Sequence, residues 1–143
     1  MRRVRVRQPV LLLVVLIAVL LRDTSGLARM ALLASLLHES GHVLAYRLLL
    51  KRFPVLNLAP WGIGLRWHSG LEGSPRCLFC VAAAGPAVNL LLCAALLGLM
   101  QLRAGYWGYC FAGVNLCTGL FNLLPVGSLD GARILTALRA GRR

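Results

Sequence analysis

The sequence predicts an all-α integral membrane protein, with about four transmembrane helices and one short β-hairpin-like or re-entrant cytoplasmic loop. Hydrophobic residues make up 59% of the 143 residues and the mean hydropathy is +0.76, which is too apolar for an ordinary soluble domain. The apolar residues fall in runs long enough to cross a bilayer. A chain of this length has room for a single membrane-embedded domain, residues 1–143.

The charge and the cysteines argue against two other classes of protein. The formal net charge of +12 would by itself fit a nucleic-acid-binding protein. However, the basic residues lie at the ends of apolar runs and form no stripe with interleaved aromatic residues, so we expect no nucleic-acid partner. The five cysteines lie in or beside apolar runs, and their odd number does not indicate a secreted disulfide framework.

The first apolar segment follows a basic N-terminus. Residues 1–8 contain four arginines and residues 9–21 are apolar throughout, a pattern typical of a signal peptide or a signal anchor. Because no A-x-A cleavage site follows, we expect a retained first span at about residues 5–21. Arg5 and Arg7 would lengthen it by extending their charged ends to the interface.

The second span is predicted at residues 27–50 and is followed by the only sizeable loop, residues 51–76. Two short β-like runs in this loop flank Pro60-Trp61-Gly62. This arrangement indicates a short hairpin, or a re-entrant flap with its tryptophans at the membrane interface.

The third and fourth spans are predicted at about residues 77–102 and 106–125, and a basic cytoplasmic tail follows at 132–143. Small residues in the third span would allow another helix to approach closely. Pro86 would free a backbone carbonyl there and kink the helix. Asn89 is a single amide in an apolar setting.

The basic residues also predict the orientation in the membrane. With the N-terminus inside, 13 of the 16 Lys and Arg residues lie on the inner side. We therefore expect a multi-pass protein of the cell membrane with both termini cytoplasmic. The arginines would have anionic lipid as their partner.

A metal-binding motif lies within the second span. The sequence His38-Glu39-Ser40-Gly41-His42 places two imidazoles at i and i+4 on one helix face, where both can hold one zinc ion. Glu39 lies beside them as a candidate base. An ionisable group at membrane depth is costly, so its presence indicates function. The alternative without a function is that the motif occurs by chance, in a helix whose polar side chains form a buried network.

Asp130 is the expected third ligand. A catalytic zinc typically keeps three protein ligands and one open position for water. Of the other acidic residues, Asp23 is predicted on the outer face and Glu72 in a cytoplasmic loop. Only Asp130 lies near a span on the correct side, although an Asp-Gly pair is also a common turn.

These residues predict a peptidase mechanism. Zinc would lower the pKa of its bound water to about 7, and Glu39 would take the proton and pass it to the leaving amine. Asn89 or Asn122 could donate a hydrogen bond to the developing oxyanion or position the substrate. Both amides could instead hold helices together.

Three motifs resemble the site-2 proteases, which are intramembrane zinc metalloproteases, and in particular the branch of the bacterial stage IV sporulation protein FB. The zinc motif comes first, the family's G-P-x-x-N second and its N-x-x-P…L-D-G third, and together they cover about residues 27–131. The residues that match the second and third motifs are Gly85, Pro86, Asn89, Asn122, Pro125, Asp130 and Gly131.

The resemblance implies one Zn²⁺ per chain, held by His38, His42 and Asp130, with Glu39 as catalytic base. It implies substrates that are single-span membrane proteins, such as a tethered transcription factor or an anti-sigma factor, and a possible regulatory membrane partner. It also implies a bacterial plasma membrane. In such families the substrate adds as a strand to a hairpin, here residues 53–67.

Two departures and two rival functions stand beside this interpretation. Ser128 and Ala132 occupy positions where the family often has proline and glycine, which changes the expected backbone path around the aspartate. The rivals are a catalytically silent homologue that binds membrane proteins, and an unrelated membrane scaffold or metal carrier. Cys77-x-x-Cys80 could be a redox or metal pair, although such cysteines are more often small apolar helix residues.

Overall fold

The computed structural model describes residues 4–6, 8–59, 62–66 and 74–141, which form a predominantly helical structure. The helices are α1 (Pro9–Arg22), α2 (Leu27–Leu50), α3 (Pro75–Leu102), α4 (Tyr106–Asn122) and α5 (Asp130–Ala140). The strands are β1 (Val4–Val6), β2 (Val55–Ala59) and β3 (Gly62–Arg66).

The three strands form one small sheet in the order β1-β2-β3. β2 and β3 pair antiparallel, with Val55 opposite Arg66, and β1 pairs parallel to β2. Residues 60 and 61, which the sequence places at the turn, lie outside the described residues. The structure thus shows the pairing of β2 with β3. That this loop is hairpin-like or re-entrant, and that it is cytoplasmic, stays a prediction.

The helix α1 begins later than the sequence analysis expected. The predicted first span started at about residue 5, but Val4–Val6 form β1 and the helix begins at Pro9. Proline at the first helical position disfavours helical backbone in the residue before it. Accordingly Gln8 has a φ of 53°, in the left-handed region. This leaves 14 residues in α1, none of which is buried.

The helix α3 is central in the bundle, and α2, α4 and α5 all pack against it. Close approach depends on small residues, as the sequence predicted for this span. A Cβ atom at Gly41 of α2 would lie 2.7 Å from the carbonyl oxygen of Ala84 in α3. Pro86 is buried within α3, and the helix continues past it to Leu102.

Among the described residues, α3 is the one helix that is long and apolar enough to cross a membrane, and α1 is a shorter apolar helix. Large apolar side chains nevertheless point outward on other helices as well. Leu44 of α2, Leu91 of α3 and Phe121 of α4 are 59%, 70% and 60% exposed. The predicted number of spans and the predicted orientation stay predictions.

The helix α5 was missed by the sequence analysis, which identified residues 132–143 only as a basic tail. Asp130 lies in its first turn and Arg139 in its last, a placement that favours a helix electrostatically. Ile134 and Ala137 are spaced three apart, and Ala137 is buried. Apolar residues at i and i+3 within a polar segment are the amphipathic pattern that could have identified the helix.

Candidate metal centre

Three donor atoms from α2 and α5 converge at one point in the bundle. Nε2 of His38 and Nε2 of His42 lie 2.9 and 3.0 Å from Oδ2 of Asp130, and 3.1 Å from each other. All three side chains are buried. Among the described residues, these three form the group of His, Cys, Asp or Glu side chains that lie close enough together to hold a metal ion. The structure thus brings together the three ligands that the sequence predicted.

Both imidazoles are oriented by groups in α3. Nδ1 of His42 lies 2.7 Å from the carbonyl oxygen of Val81, which can only accept a hydrogen bond. Nδ1 of His38 lies 3.0 Å from Oδ1 of Asn89. Each Nδ1 therefore carries the hydrogen, and in a neutral ring the Nε2 atom presents a lone pair.

The convergence of two lone pairs and a carboxylate oxygen requires a cation between them, either a proton or a metal ion. A tetrahedral zinc site with Zn–N distances of about 2.0–2.1 Å separates neighbouring donor atoms by about 3.3 Å. The observed separations of 2.9–3.1 Å are within a few tenths of an ångström of that value. The donor set of two imidazoles and one carboxylate also suits zinc.

Gly85 of α3 leaves room beside these donor atoms. A Cβ atom at this position would overlap Nε2 of His42 and would lie 2.7 Å from Nε2 of His38. Any residue larger than glycine would therefore fill the space that a metal ion and its water need. This gives a physical reason for a glycine in the second of the three sequence motifs.

A close approach between the start of α5 and the residue that follows α4 positions Asp130. The helix α4 ends at Asn122, and a turn containing Pro125 leads to Asp130. Gly127 in that turn has a φ of 58°, which favours glycine. A Cβ atom at Gly131 would overlap the carbonyl group of Leu123, so only glycine allows α5 to begin here. Ser128 and Ala132, the two departures, leave Asp130 within reach of the histidines.

The second carboxylate oxygen of Asp130 has its own partner. The guanidinium of Arg133, one helical turn later, donates to Oδ1 of Asp130 at 3.3 Å, while Oδ2 faces the histidines. As a result, a single carboxylate oxygen of Asp130 faces the Nε2 atoms of the two histidines. Sequence analysis did not identify Arg133, although its i+3 spacing from the predicted ligand was a usable signal.

Glu39 lies beside the donor atoms and is only half-buried. It is close enough to interact electrostatically with His42, His38 and Asp130. Its Oε2 atom is buried and has no hydrogen-bond partner among the described residues. Because an unpaired buried acceptor is costly, this oxygen fits a group that is kept free to accept a proton.

The two predicted asparagines occupy different environments. The amide nitrogen of Asn89 donates to the carbonyl oxygen of Ala34 at 3.3 Å and to Oδ1 of Asn115 at 3.1 Å, so both amide hydrogens have acceptors. The amide of Asn122 donates to the carbonyl oxygen of Thr118 in its own helix at 2.9 Å. The geometry thus places Asn89 as a partner of His38, and Asn122 at the end of α4.

The remaining candidates do not join the site. Cys77 is half-buried, Cys80 is exposed, and both are free thiols outside the donor group. Glu72 lies outside the described residues. Asp23 lies in the α1–α2 connection and accepts hydrogen bonds from the backbone there.

Comparison with known proteins identifies relatives of the chain by sequence. No protein-family model matches the chain. Over 118 residues the chain is 37% identical to the protein named "Putative zinc metalloprotease Rip3" in the Erdman and H37Rv strains of Mycobacterium tuberculosis. The match covers 74% of this chain and 29% of those relatives, so the chain spans less than a third of their length.

A solved structure has the same fold. The site-2 protease from Methanocaldococcus jannaschii matches with a TM-score of 0.68 and 24% sequence identity, over 97% of this chain and 68% of that one. The narrower resemblance to the stage IV sporulation branch is not addressed by these matches and stays a prediction. The chain therefore has the fold of a site-2 protease, and over 118 residues its sequence is similar to a protein named as a zinc metalloprotease.

Proposed function

We propose that the chain is an intramembrane zinc metalloprotease that hydrolyses a peptide bond in or near the transmembrane segment of a membrane-tethered regulatory protein. The observation that carries the proposal is the convergence of His38, His42 and Asp130 with the unpaired, buried Oε2 atom of Glu39 beside them. A metal site built only for stability would be closed by a fourth ligand and would not need a free carboxylate.

Each residue has a distinct role in this mechanism. When bound, zinc would supply Lewis acidity, lowering the pKa of a bound water and polarising the peptide carbonyl. His38, His42 and Asp130 would hold the ion. Glu39 would take a proton from the attacking water as the new C–O bond forms. It would then pass that proton to the amine as the C–N bond breaks, leaving a carboxylate and an amine.

The two asparagines divide the remaining tasks. Both amide hydrogens of Asn89 are already used, which favours a role in positioning His38 over a role in stabilising the oxyanion. Asn122 lies at the end of α4, where the connection to α5 begins. It keeps the role of a contact to the substrate in this proposal.

The membrane setting rests on the outer surface of the helices. Monomeric soluble proteins rarely expose large contiguous apolar patches, but α1 has no buried residue and α2, α3 and α4 all expose large apolar side chains. We therefore place the chain in a cell membrane, with about four spans and both termini in the cytoplasm. A bacterial plasma membrane, anionic lipid contacts and one zinc per chain belong to the same proposal.

The substrate class is inferred from the resemblance to site-2 proteases. Single-span membrane proteins such as a tethered transcription factor or an anti-sigma factor are the expected substrates, and a second membrane protein could regulate access. The edge of the β1-β2-β3 sheet is the expected place for an unwound substrate segment to add as a strand. β3 also approaches α2, the helix that carries the zinc motif.

The experiment compares three forms of the full chain in detergent: wild type, Glu39→Gln and Ser40→Ala. Ser40 is the matched control because it is the next residue, is exposed and donates its hydroxyl to Leu37 of its own helix. Zinc is counted per chain, and each form is incubated with a panel of single-span membrane proteins. We expect one zinc in all three forms, with cleavage by wild type and Ser40→Ala only.

The other outcomes separate the alternatives. Zinc in every form with cleavage by none would favour the silent homologue. A chain that neither contains nor takes up zinc would overturn the proposal and favour a membrane scaffold.

A further inference from the structure

A chain of buried amides links the candidate metal centre to α4. Asn115 lies in the middle of α4 and is fully buried. Its Oδ1 atom accepts a hydrogen bond from the amide nitrogen of Asn89, and its own amide nitrogen donates to the carbonyl oxygen of Phe111 at 2.8 Å. Asn89 in turn accepts from Nδ1 of His38. This series of hydrogen bonds therefore runs from α4 through α3 to α2.

Backbone carbonyl groups fix the direction of each hydrogen bond in this series of amides. The carbonyl of Phe111 can only accept, so the amide nitrogen of Asn115 faces it and Oδ1 of Asn115 faces α3. The carbonyl of Ala34 likewise faces the amide nitrogen of Asn89. Oδ1 of Asn89 is then left to accept from His38, which holds the hydrogen on Nδ1.

We propose that Asn115 is a positioning residue that, through Asn89, sets the tautomer and ring orientation of His38 for metal binding. This inference rests on the proposed metal site. An amide buried among apolar helices costs free energy unless its hydrogen bonds are made, and here the side-chain hydrogen bonds of Asn115 and Asn89 form a series that ends at His38. Partners of this kind around metal-bound histidines typically change metal affinity by about 10–100-fold when they are removed.

A merely structural role predicts a different result from substitution. Leucine has the same branched heavy-atom skeleton as asparagine, although its side chain is larger, and it packs in an apolar bundle without needing hydrogen bonds. If Asn115 only fills space, Asn115→Leu should therefore bind zinc as wild type does. If Asn115 acts through Asn89, the substitution leaves one amide hydrogen of Asn89 without an acceptor, and zinc binding weakens while the protein stays folded.

The experiment measures zinc dissociation constants by competition with a chromophoric chelator, using the full chain in detergent. The variants are Asn115→Leu, Asn89→Leu, the double variant and Thr118→Val. Thr118 is the control because it lies on the same helix, is half-buried and donates its hydroxyl to the carbonyl oxygen of Val114 within that helix. Asn115→Val is used if leucine does not fit.

We expect Asn115→Leu to raise the zinc dissociation constant about tenfold, and Asn89→Leu to raise it at least as much. The double variant should bind zinc within about twofold of Asn89→Leu alone, because Asn115 acts only through Asn89. Thr118→Val should bind as wild type does. Unchanged affinity in Asn115→Leu, or a double variant whose loss is the product of the two single losses, would overturn the inference.

The same titration tests the proposed function separately. If wild type itself binds no zinc, the metal site fails. If wild type binds zinc and Asn115→Leu binds it equally well, only the role of Asn115 fails.

Discussion

The carbonyl oxygen of Val81 lies 2.7 Å from Nδ1 of His42, so the second histidine is oriented by the backbone of α3. The first histidine, His38, is oriented instead by the side chain of Asn89. The two rings thus differ in whether a side-chain substitution can remove the hydrogen-bond acceptor of Nδ1. No side-chain replacement at position 81 removes the acceptor of His42, whereas a replacement at position 89 removes that of His38.

Replacing Gly85 by alanine should strongly weaken zinc binding without unfolding the helix. The added methyl group would overlap Nε2 of His42 and crowd His38, so we expect zinc affinity to fall by about a hundredfold or more. Gly98→Ala is the matched control, because a Cβ atom there has no heavy atom within 4 Å. Zinc content after dialysis checks the prediction, and a Gly85→Ala protein that retains one zinc per chain would contradict it.

Replacing Gly131 by alanine should displace the start of α5. Its methyl group would overlap the carbonyl group of Leu123, and backbone must move to relieve the contact. We expect a loss of stability of about 1–3 kcal/mol. Zinc binding should weaken as well, since Asp130 is the preceding residue. Gly113→Ala, at an open position in α4, should not lower the unfolding temperature and should leave the zinc content unchanged.

Replacing Glu39 by methionine should stabilise the zinc-free protein while removing any peptidase activity. The Oε2 atom of Glu39 is buried without a partner, which costs of the order of 1 kcal/mol, and methionine has no polar group to satisfy. Thermal unfolding in the presence of a chelator measures the change, with Ser40→Ala as reference. A lower unfolding temperature for Glu39→Met would show that this carboxylate has a structural partner.

The first turn of α2 should open at low pH because of Asp23. Burial alone would raise the pKa of the Asp23 carboxyl, but hydrogen bonds from the amides of Arg29 and Ala28 hold it below its usual value of 3.8. A lowered pKa stabilises the folded state above pH 3.8, and this contribution is lost as the pH falls through the folded-state value.

Amide hydrogen exchange across the first turn of α2 tests this pH dependence. As the pH is lowered below about 3.8, protection of the amides of Ala28 and Arg29 should fall in wild type. In Asp23→Asn, whose side chain does not titrate, it should stay constant over the same range. Equal behaviour of the two proteins would exclude the carboxylate as the cause.

Much of the candidate site could be predicted from sequence because its information is local or motif-like. The i, i+4 spacing of His38 and His42 fixes their relation on any helix. Asp130 was identified because few acidic residues were available and its motif is distinctive. Gly85 was noted as part of a motif, but its physical reason, the space beside two Nε2 atoms, depends on how α2 and α3 pack.

The parts that sequence did not predict depend on contacts between distant segments. Asn115 is one more amide in an apolar run until α3 places Asn89 beside it, 26 residues away in sequence. The strand β1 exists because β2 offers an edge for parallel pairing, which no short-range pattern reveals. The helix α5 was hidden by its basic composition, and Arg133 with it.

The absence of buried residues in α1 has a consequence for how the chain can vary. Apart from a few contacts with α2, this helix makes no identity-dependent packing with the bundle in the described structure. Many apolar sequences of the same length should therefore serve equally well between Pro9 and Arg22. In a library covering every position, tolerance in α1 should follow hydrophobicity alone. In α3, by contrast, the buried positions among residues 81–89 should accept few alternatives and diverge slowly while α1 drifts; these are Val81, Ala82, Gly85, Pro86 and Asn89.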